Sequence, residues 1–367
     1  MRRRLARILG LLSLGAVAFL VGCESSQVRA SAESRQRWND ARAEVKLKLA
    51  ADQLNAGHIA DAANEINAAA QLDPTHPALR TLQARLCLAQ GDLSTAEQLL
   101  RNAPPESTNR GEIAYLLGVI AEQRMRWQEA MERYVEAVQY NPEEIAYVTA
   151  IVQLMLQQGK ASDALAWLRS QEIQFGWTGA YQAALAECYE QLQDWPHAVS
   201  AWRRVADADA NADIRERLAL ALCRAGQWGE AVAQLRSLLD ARGDKSQNMI
   251  RTSLAECYLH ISDPRSAHEQ LTYVLRDNPR DPCALRLLAC AYARENLFTQ
   301  AHQAAEQALL AAPGDVNTLE ITATMAYRAG RLDRAAELAR QITRRNPGSE
   351  NSLAAGLLEA IDPSAAK

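Results

Sequence analysis

No two cysteines of this chain stand at the close CxxC spacing of a zinc or redox motif. There is no phosphate-cradling glycine loop of the GxxxxGKS or GxxxxGKT type and no GxSxG elbow, so neither a P-loop nor an α/β-hydrolase nucleophile is encoded. Six histidines are present, and His268-Glu269 opens like a zincin helix, but no second histidine follows four residues on to place two ligands on one face. His58 and His197 fall in expected inter-helix turns. Aromatic residues make up only 5% of the sequence. Such a chain packs through alanine-rich helices rather than a broad sheet-lined core. These absences point to no catalytic residue, no metal site and no cofactor.

Positive charge is also short. Once residues 1–22 are set aside, 36 basic residues face 44 acidic ones, which disfavours nucleic acid as a partner. Those first 22 residues have a pattern of their own. Arg2, Arg3, Arg4 and Arg7 precede an apolar run from Ile8 to Val21, which is shorter than the ~20 residues that cross a bilayer comfortably as a helix. The run closes on Leu20-Val21-Gly22-Cys23. A basic flank and a short apolar core mark a secretory signal peptide, and the ending is similar to the bacterial lipobox. That resemblance implies cleavage before Cys23 and lipidation of its thiol, giving a membrane contact through the N-terminal lipid. The rival reading is an uncleaved signal anchor. Glu24 stands where aspartate would retain a lipoprotein in the inner membrane, which leans towards the outer membrane, facing the periplasm. Residues 23–33 form a polar tether without periodicity.

The rest of the chain repeats. Ala62, Ala96, Ala130, Ala164, Ala198, Ala231, Ala267, Ala301 and Ala335 are separated by 33 to 36 residues, mostly 34. A period near 34 indicates a helical array, because one helical hairpin cannot bury its own apolar stripe and must stack on neighbours. Placing each alanine at position 20 of a unit puts Ala50, Ala84, Gly118, Val152, Ala186, Ala219, Ala255, Ala289 and Ala323 at position 8, where eight of nine are glycine or alanine. Three residues before the anchors the column is mainly large and apolar: Ile59, Leu93, Trp127, Ala161, Trp195, Trp228, Pro264, Phe298 and Leu332. Four after them stand Ile66, Leu100, Tyr134, Leu168, Trp202, Leu235, Leu271, Ala305 and Ala339. Pro74, Pro142, Pro279, Pro313 and Pro347 close five units.

This pattern resembles the tetratricopeptide repeat family, with small residues at positions 8 and 20, an apolar residue at 24 and proline at 32. The resemblance implies an all-α, right-handed superhelical solenoid of about nine helix-turn-helix repeats, starting near residues 43, 77, 111, 145, 179, 212, 248, 282 and 316. It spans residues 34–348, followed by a capping helix and tail over 349–367. The fourth unit is the weakest, with Val152 at position 8 and Gln171 where a small residue is expected. Pro104-Pro105 is expected to truncate the second unit's second helix, and 241–245 to form a longer loop.

The family's first helices line a concave groove for protein partners, mainly through positions 2, 5, 9, 12 and 13. That register selects Glu112, Tyr115 and Glu122 in the third unit, Glu187 and Glu190 in the fifth, and Glu216 and Arg224, with Arg217 nearby, in the sixth. It adds Arg286 and Arg294 in the eighth, and Glu320 with Arg328 in the ninth. The centre leans acidic and the C-terminal end basic, which would orient a bound segment by charge. Ordinary solvated faces would give the same residues. The Lys/Asn clamp for a free peptide C-terminus is not reproduced.

Apart from Cys23 there are Cys87, Cys188, Cys223, Cys257, Cys283 and Cys290, read as small packing residues, with Cys188 and Cys257 at one helical position two units apart. Two functions fit: a lipid-anchored envelope scaffold assisting a pilus or secretion, polysaccharide-export or cell-wall machine, or a metal- or thiol-dependent enzyme or its regulatory subunit. Self-association into a homodimer through the convex face or a terminal repeat is compatible with the first.

Overall fold

The residue three before each anchor alanine is where the second helix of each unit begins. The computed structural model describes residues 33–103, 109–209, 211–241, 247–345 and 353–361. These fall into two bodies, divided between Gln158 and Gly159. The first holds α1 (33–55), α2 (Ile59–Leu72), α3 (Leu79–Ala89), α4 (Leu93–Arg101), α5 (Arg110–Gln123), α6 (Trp127–Tyr140) and α7 (Ile145–Gln157). The second begins with α8 (Ala161–Ser170), α9 (Glu172–Phe175), α10 (Gly179–Gln191), α11 (Trp195–Ala208), α12 (Ala212–Arg224) and α13 (Trp228–Ala241). It continues through α14 (Gln247–His260), α15 (Pro264–Asp277), α16 (Pro282–Arg294), α17 (Phe298–Ala311), α18 (Val316–Arg328), α19 (Leu332–Arg345) and α20 (Leu353–Ile361).

All nine anchor alanines are fully buried, and so is every residue at position 8. The small side chains let paired helices approach. Gly118 shows how tightly: a Cβ there would lie 2.5 Å from Cε1 of Tyr134. Position 24 supplies the bulk these helices close over, with Ile66, Tyr134, Leu168, Trp202, Leu235 and Leu271 all buried.

The turn between the two helices of each unit has one solution. Residue 15 takes a positive φ in all nine units: Gly57, Gly91, Gly159, Gly226 and Gly330, but also Met125, Gln193, Ser262 and Asn296. In eight of them the next residue's N–H reaches back five residues, as His58 does to Gln53 and Leu297 to Tyr292. This is the Schellman closure of a helix C-terminus, for which glycine is the strain-free residue. The proline at the other end acts two residues past its helix, as Pro74 does after α2, Pro142 after α6, Pro279 after α15 and Pro313 after α17. Pro347 lies outside the described residues.

Departures from the repeat have local causes. α4 ends at Arg101, nine residues long where α6 and α11 have 14, ahead of Pro104-Pro105, which lie outside the described residues. In the fourth unit α8 stops at Ser170, and Gln171 leads into the short α9, whose Phe175 is buried. Val152 is nonetheless fully buried in the first body, and α8 packs on α10 in the second. The junction 242–246 lies outside the described residues. At the end, Ala354 and Leu357 of α20 join Leu319, Leu338 and Ile342, so this helix covers the last pair.

The tryptophans divide. Trp127, at the start of α6, keeps 38% of its surface exposed, whereas Trp202 is the one buried deeply. Trp228 lies flat against His260, ring centroids 3.8 Å apart. In the column three before the anchor, Trp127 is thus partly exposed and Trp228 packs on the last residue of α14 in the next unit. His197 sits in the first turn of α11, held by Asp194 at 2.7 Å.

Candidate protein-binding groove

In the second body, α10 presents Ala180, Ala183 and Glu187 at positions 2, 5 and 9, and α12 presents Asp213, Ile214 and Arg217. Between them opens a cleft of about 420 Å³, floored by Trp202 and Val205 of α11. The small residues on α10 create the space. Asn211 caps α12 by accepting from the N–H of Ile214, fixing where Ile214 and Arg217 emerge.

Arg217 organises the rim. Its guanidinium lies 3.0 Å from Glu187 and 5.3 Å over the ring of Trp202. The Nε1–H of Trp202 donates to Glu190 at 2.7 Å. One Glu–Arg–Trp–Glu chain thus joins three helices, with Glu187 outward and Glu190 inward.

The same ring-to-carboxylate contact recurs in the first body. Tyr134 donates its hydroxyl to Glu122 at 2.6 Å, and Gln157 donates to the other oxygen at 2.9 Å. Tyr115 stacks on Tyr147 with centroids 5.1 Å apart and tilts against Tyr134 at 5.7 Å. Burial and the Glu122 carboxylate push the Tyr134 phenol up. Burial also raises the Glu112 carboxyl, against the opposing pull of Arg85 and Thr81. So position 12 carries an acid wherever position 24 carries a ring with a donor, and the pair satisfies groups that burial would otherwise orphan.

The arginines picked out by the register are also partly committed. Arg286 reaches Asp315 at 3.0 Å, the residue that caps α18 through Thr318. Arg294 donates to the carbonyl of Leu259. Arg328 lies 6.0 Å over the ring of Phe298, and Arg224 is exposed. Sequence position placed these residues on the first helices, while the internal partners that hold Glu122, Glu190, Arg286 and Arg294 come from the structure. Arg217, beside Glu216 in the sequence register, turns out to organise the rim, and the residue missed is Trp202 as the floor.

Family models for the tetratricopeptide repeat match residues 53–120 and 286–350. The fold is that of a tetratricopeptide-repeat solenoid. Two solved structures of this fold overlay with a TM-score of 0.50 each. One, PilW, described as a widely conserved type IV pilus biogenesis factor, is 17% identical over 57% of this chain and 96% of its own. The other, the C-terminal part of a TPR repeat-containing protein from Cytophaga hutchinsonii, is 14% identical over 66% of this chain and 98% of its own. No curated protein matches the sequence. Tetratricopeptide repeats suit the binding of protein segments, and the cleft between the fifth and sixth repeats has the apolar floor and charged rim for that.

The inward glutamate gives the fifth repeat a pH signature. Burial raises the Glu190 carboxyl, more than the Trp202 hydrogen bond and Arg217 lower it. A carboxyl raised in the folded state binds its proton more tightly there than in the unfolded chain, so its contribution to stability falls as pH rises through the raised value. Glu190→Gln keeps an acceptor for Trp202 and removes this loss. Chemical denaturation across pH is expected to show the variant and parent alike below the ordinary glutamate pKa and the variant more stable at neutral pH.

Proposed function

We propose that this chain is a lipid-anchored scaffold of the cell envelope that holds protein segments against the groove face of its repeats. The observation that carries the reading is the cleft around Glu187, Arg217 and Trp202, where an apolar floor of Trp202 and Val205 meets a charged rim. An extended or helical segment would place an apolar side chain over Ala183 and Ile214 and a basic one beside Glu187 and Asp213. Among the described residues no group of three or more His, Cys, Asp or Glu is arranged to hold a metal, and no helix is long and apolar enough to cross a membrane.

The anchor is read from sequence: the basic flank, the short apolar run and the ending Leu20-Val21-Gly22-Cys23, all outside the described residues. Glu24 favours the outer membrane, facing the periplasm. A pilus or secretion, polysaccharide-export or cell-wall machine would be the client, and the fold shared with a pilus biogenesis factor is in keeping with the first. Groove residues Glu112, Tyr115 and Glu122 in the first body, and Glu187, Glu190, Arg224, Arg286, Arg294 and Arg328 in the second, are proposed contributors. Of these, Arg224 and Arg328 are exposed, and Glu187 stands at the rim paired with Arg217.

Two experiments test the proposal. Cys23→Ser is expected to leave helicity unchanged and to release the protein from alkaline-washed membranes; a variant still in the membrane fraction removes the lipid anchor from the account. Glu187→Lys reverses a rim charge and is expected to weaken capture of the client about tenfold, with far-UV ellipticity preserved. Capture at parental strength would place recognition away from this cleft.

A further inference from the structure

All six helix-borne cysteines lie on first helices. Two of them meet. Cys223, at position 12 of the sixth repeat, and Cys257, at position 10 of the seventh, have their sulfurs 3.2 Å apart. The two sit on α12 and α14, 34 residues apart in sequence. Cys257 is fully buried in the cluster formed with Leu222, Leu254 and Trp202, while Cys223 is half-buried at its edge. No side chain stands between the two sulfurs at this distance, so closing to the ~2.05 Å of a disulfide needs roughly 1 Å of sulfur movement.

We propose that Cys223 and Cys257 form an oxidisable dithiol site that closes to an intrachain disulfide between the sixth and seventh repeats. The reaction needs a disulfide oxidant, such as an oxidised dithiol oxidoreductase or oxidised glutathione. The thiolate of Cys223, the sulfur nearer the surface, attacks one sulfur of the oxidant and expels the other as a thiolate, leaving a mixed disulfide. Cys257, deprotonated as it attacks, then displaces the second oxidant sulfur from Cys223 Sγ. Two S–H bonds are lost, one S–S bond forms, and the oxidant's disulfide becomes two thiols. The order follows from access and charge. The hydrogen bond shared with Cys257 and the nearby Arg224 favour the Cys223 thiolate, against burial and Glu256. The same hydrogen bond, burial, Cys223 and Glu256 all hold the Cys257 proton in place.

The other thiols contrast with this pair. Cys188 is fully buried and its thiol is pushed up to about 12 by burial. Burial likewise raises Cys87, Cys283 and Cys290. Among the described residues none of these four has a thiol partner within hydrogen-bond distance. A bridge at 223–257 would tie α12 to α14 beside Arg224, at a position of the groove register.

The test uses the full chain carrying Cys23→Ser, so that only the six helix thiols remain. It is incubated with oxidised glutathione, and non-reducing peptide mapping, thiol titration and thermal melting are read together. The expected result is a single 223–257 linkage, loss of two titratable thiols, and a melting temperature raised by about 5 °C or more and restored by reductant. Cys223→Ser and Cys223→Ala, at the half-buried position, are both expected to keep helicity, to show no linkage and to lose the temperature shift. Glutathione stably held on Cys223 with Cys257 free, linkages scattered over other cysteines, or six thiols still titratable would each overturn the proposal.

Discussion

Trp202→Ala is expected to lower the stability of the fifth and sixth repeats by about 3–5 kcal/mol, the cost of removing a large buried aromatic without full collapse of the site. The side chain is buried against Val205, Leu218 and Leu222, and it floors the cleft beneath Arg217. Its removal also strands Glu190, half-buried, without the 2.7 Å donor. Trp202→Phe separates the two effects: the ring volume is largely kept and the hydrogen bond is lost, for an expected cost of about 1–3 kcal/mol. Because a repeat array unfolds by neighbouring units rather than all at once, the loss should be read by amide exchange. Protection should fall in α10, α11 and α12 and hold in α18 and α19. A uniform loss along the second body would contradict nearest-neighbour packing.

Gly118→Ala is expected to cost about 2–3 kcal/mol, although alanine is the residue found at position 8 in seven other units. The new methyl would fall 2.5 and 2.6 Å from two carbons of the Tyr134 ring. That ring has no room to move, since its hydroxyl is held by Glu122 and Tyr115 lies against it. The double variant Gly118→Ala, Tyr134→Leu copies the combinations Ala84 with Leu100 and Ala255 with Leu271, in which both members are buried without conflict. It should recover most of the loss that Gly118→Ala alone produces. A coupling energy near zero between the two substitutions would show that position 8 and position 24 are not packed on each other.

The frame of this fold was open to reading because stacking imposes steric rules at fixed intervals. Nine alanines at period 34 located the second helices to the residue, and the prolines located their ends. The turn was half-visible: Gly57, Gly91, Gly159, Gly226 and Gly330 recur in register, but Met125, Gln193, Ser262 and Asn296 hide the same left-handed position behind side chains. The groove register placed Glu187 and Glu190 on one helix without distinguishing them. What separates them is a tertiary contact, because the indole N–H of Trp202 claims Glu190 and leaves Glu187 to Arg217. The thiol pair was out of reach for a similar reason. Cys223 and Cys257 occupy different columns, 12 and 10, and only the offset between neighbouring first helices brings these columns together. Residues 1–32 carry the anchor pattern in sequence alone.

Partners held on the groove face of the repeats would lie within reach of a photo-crosslinker placed there. In-cell photo-crosslinking from a probe at Ala183, in the cleft beside Glu187, tests this most directly, with a parallel probe at the exposed Arg236 on α13. A discrete adduct is expected from Ala183, identified by mass spectrometry, diminished by Glu187→Lys and absent from Arg236. Adducts equal at both sites, or found at Arg236 alone, would contradict binding on the groove face.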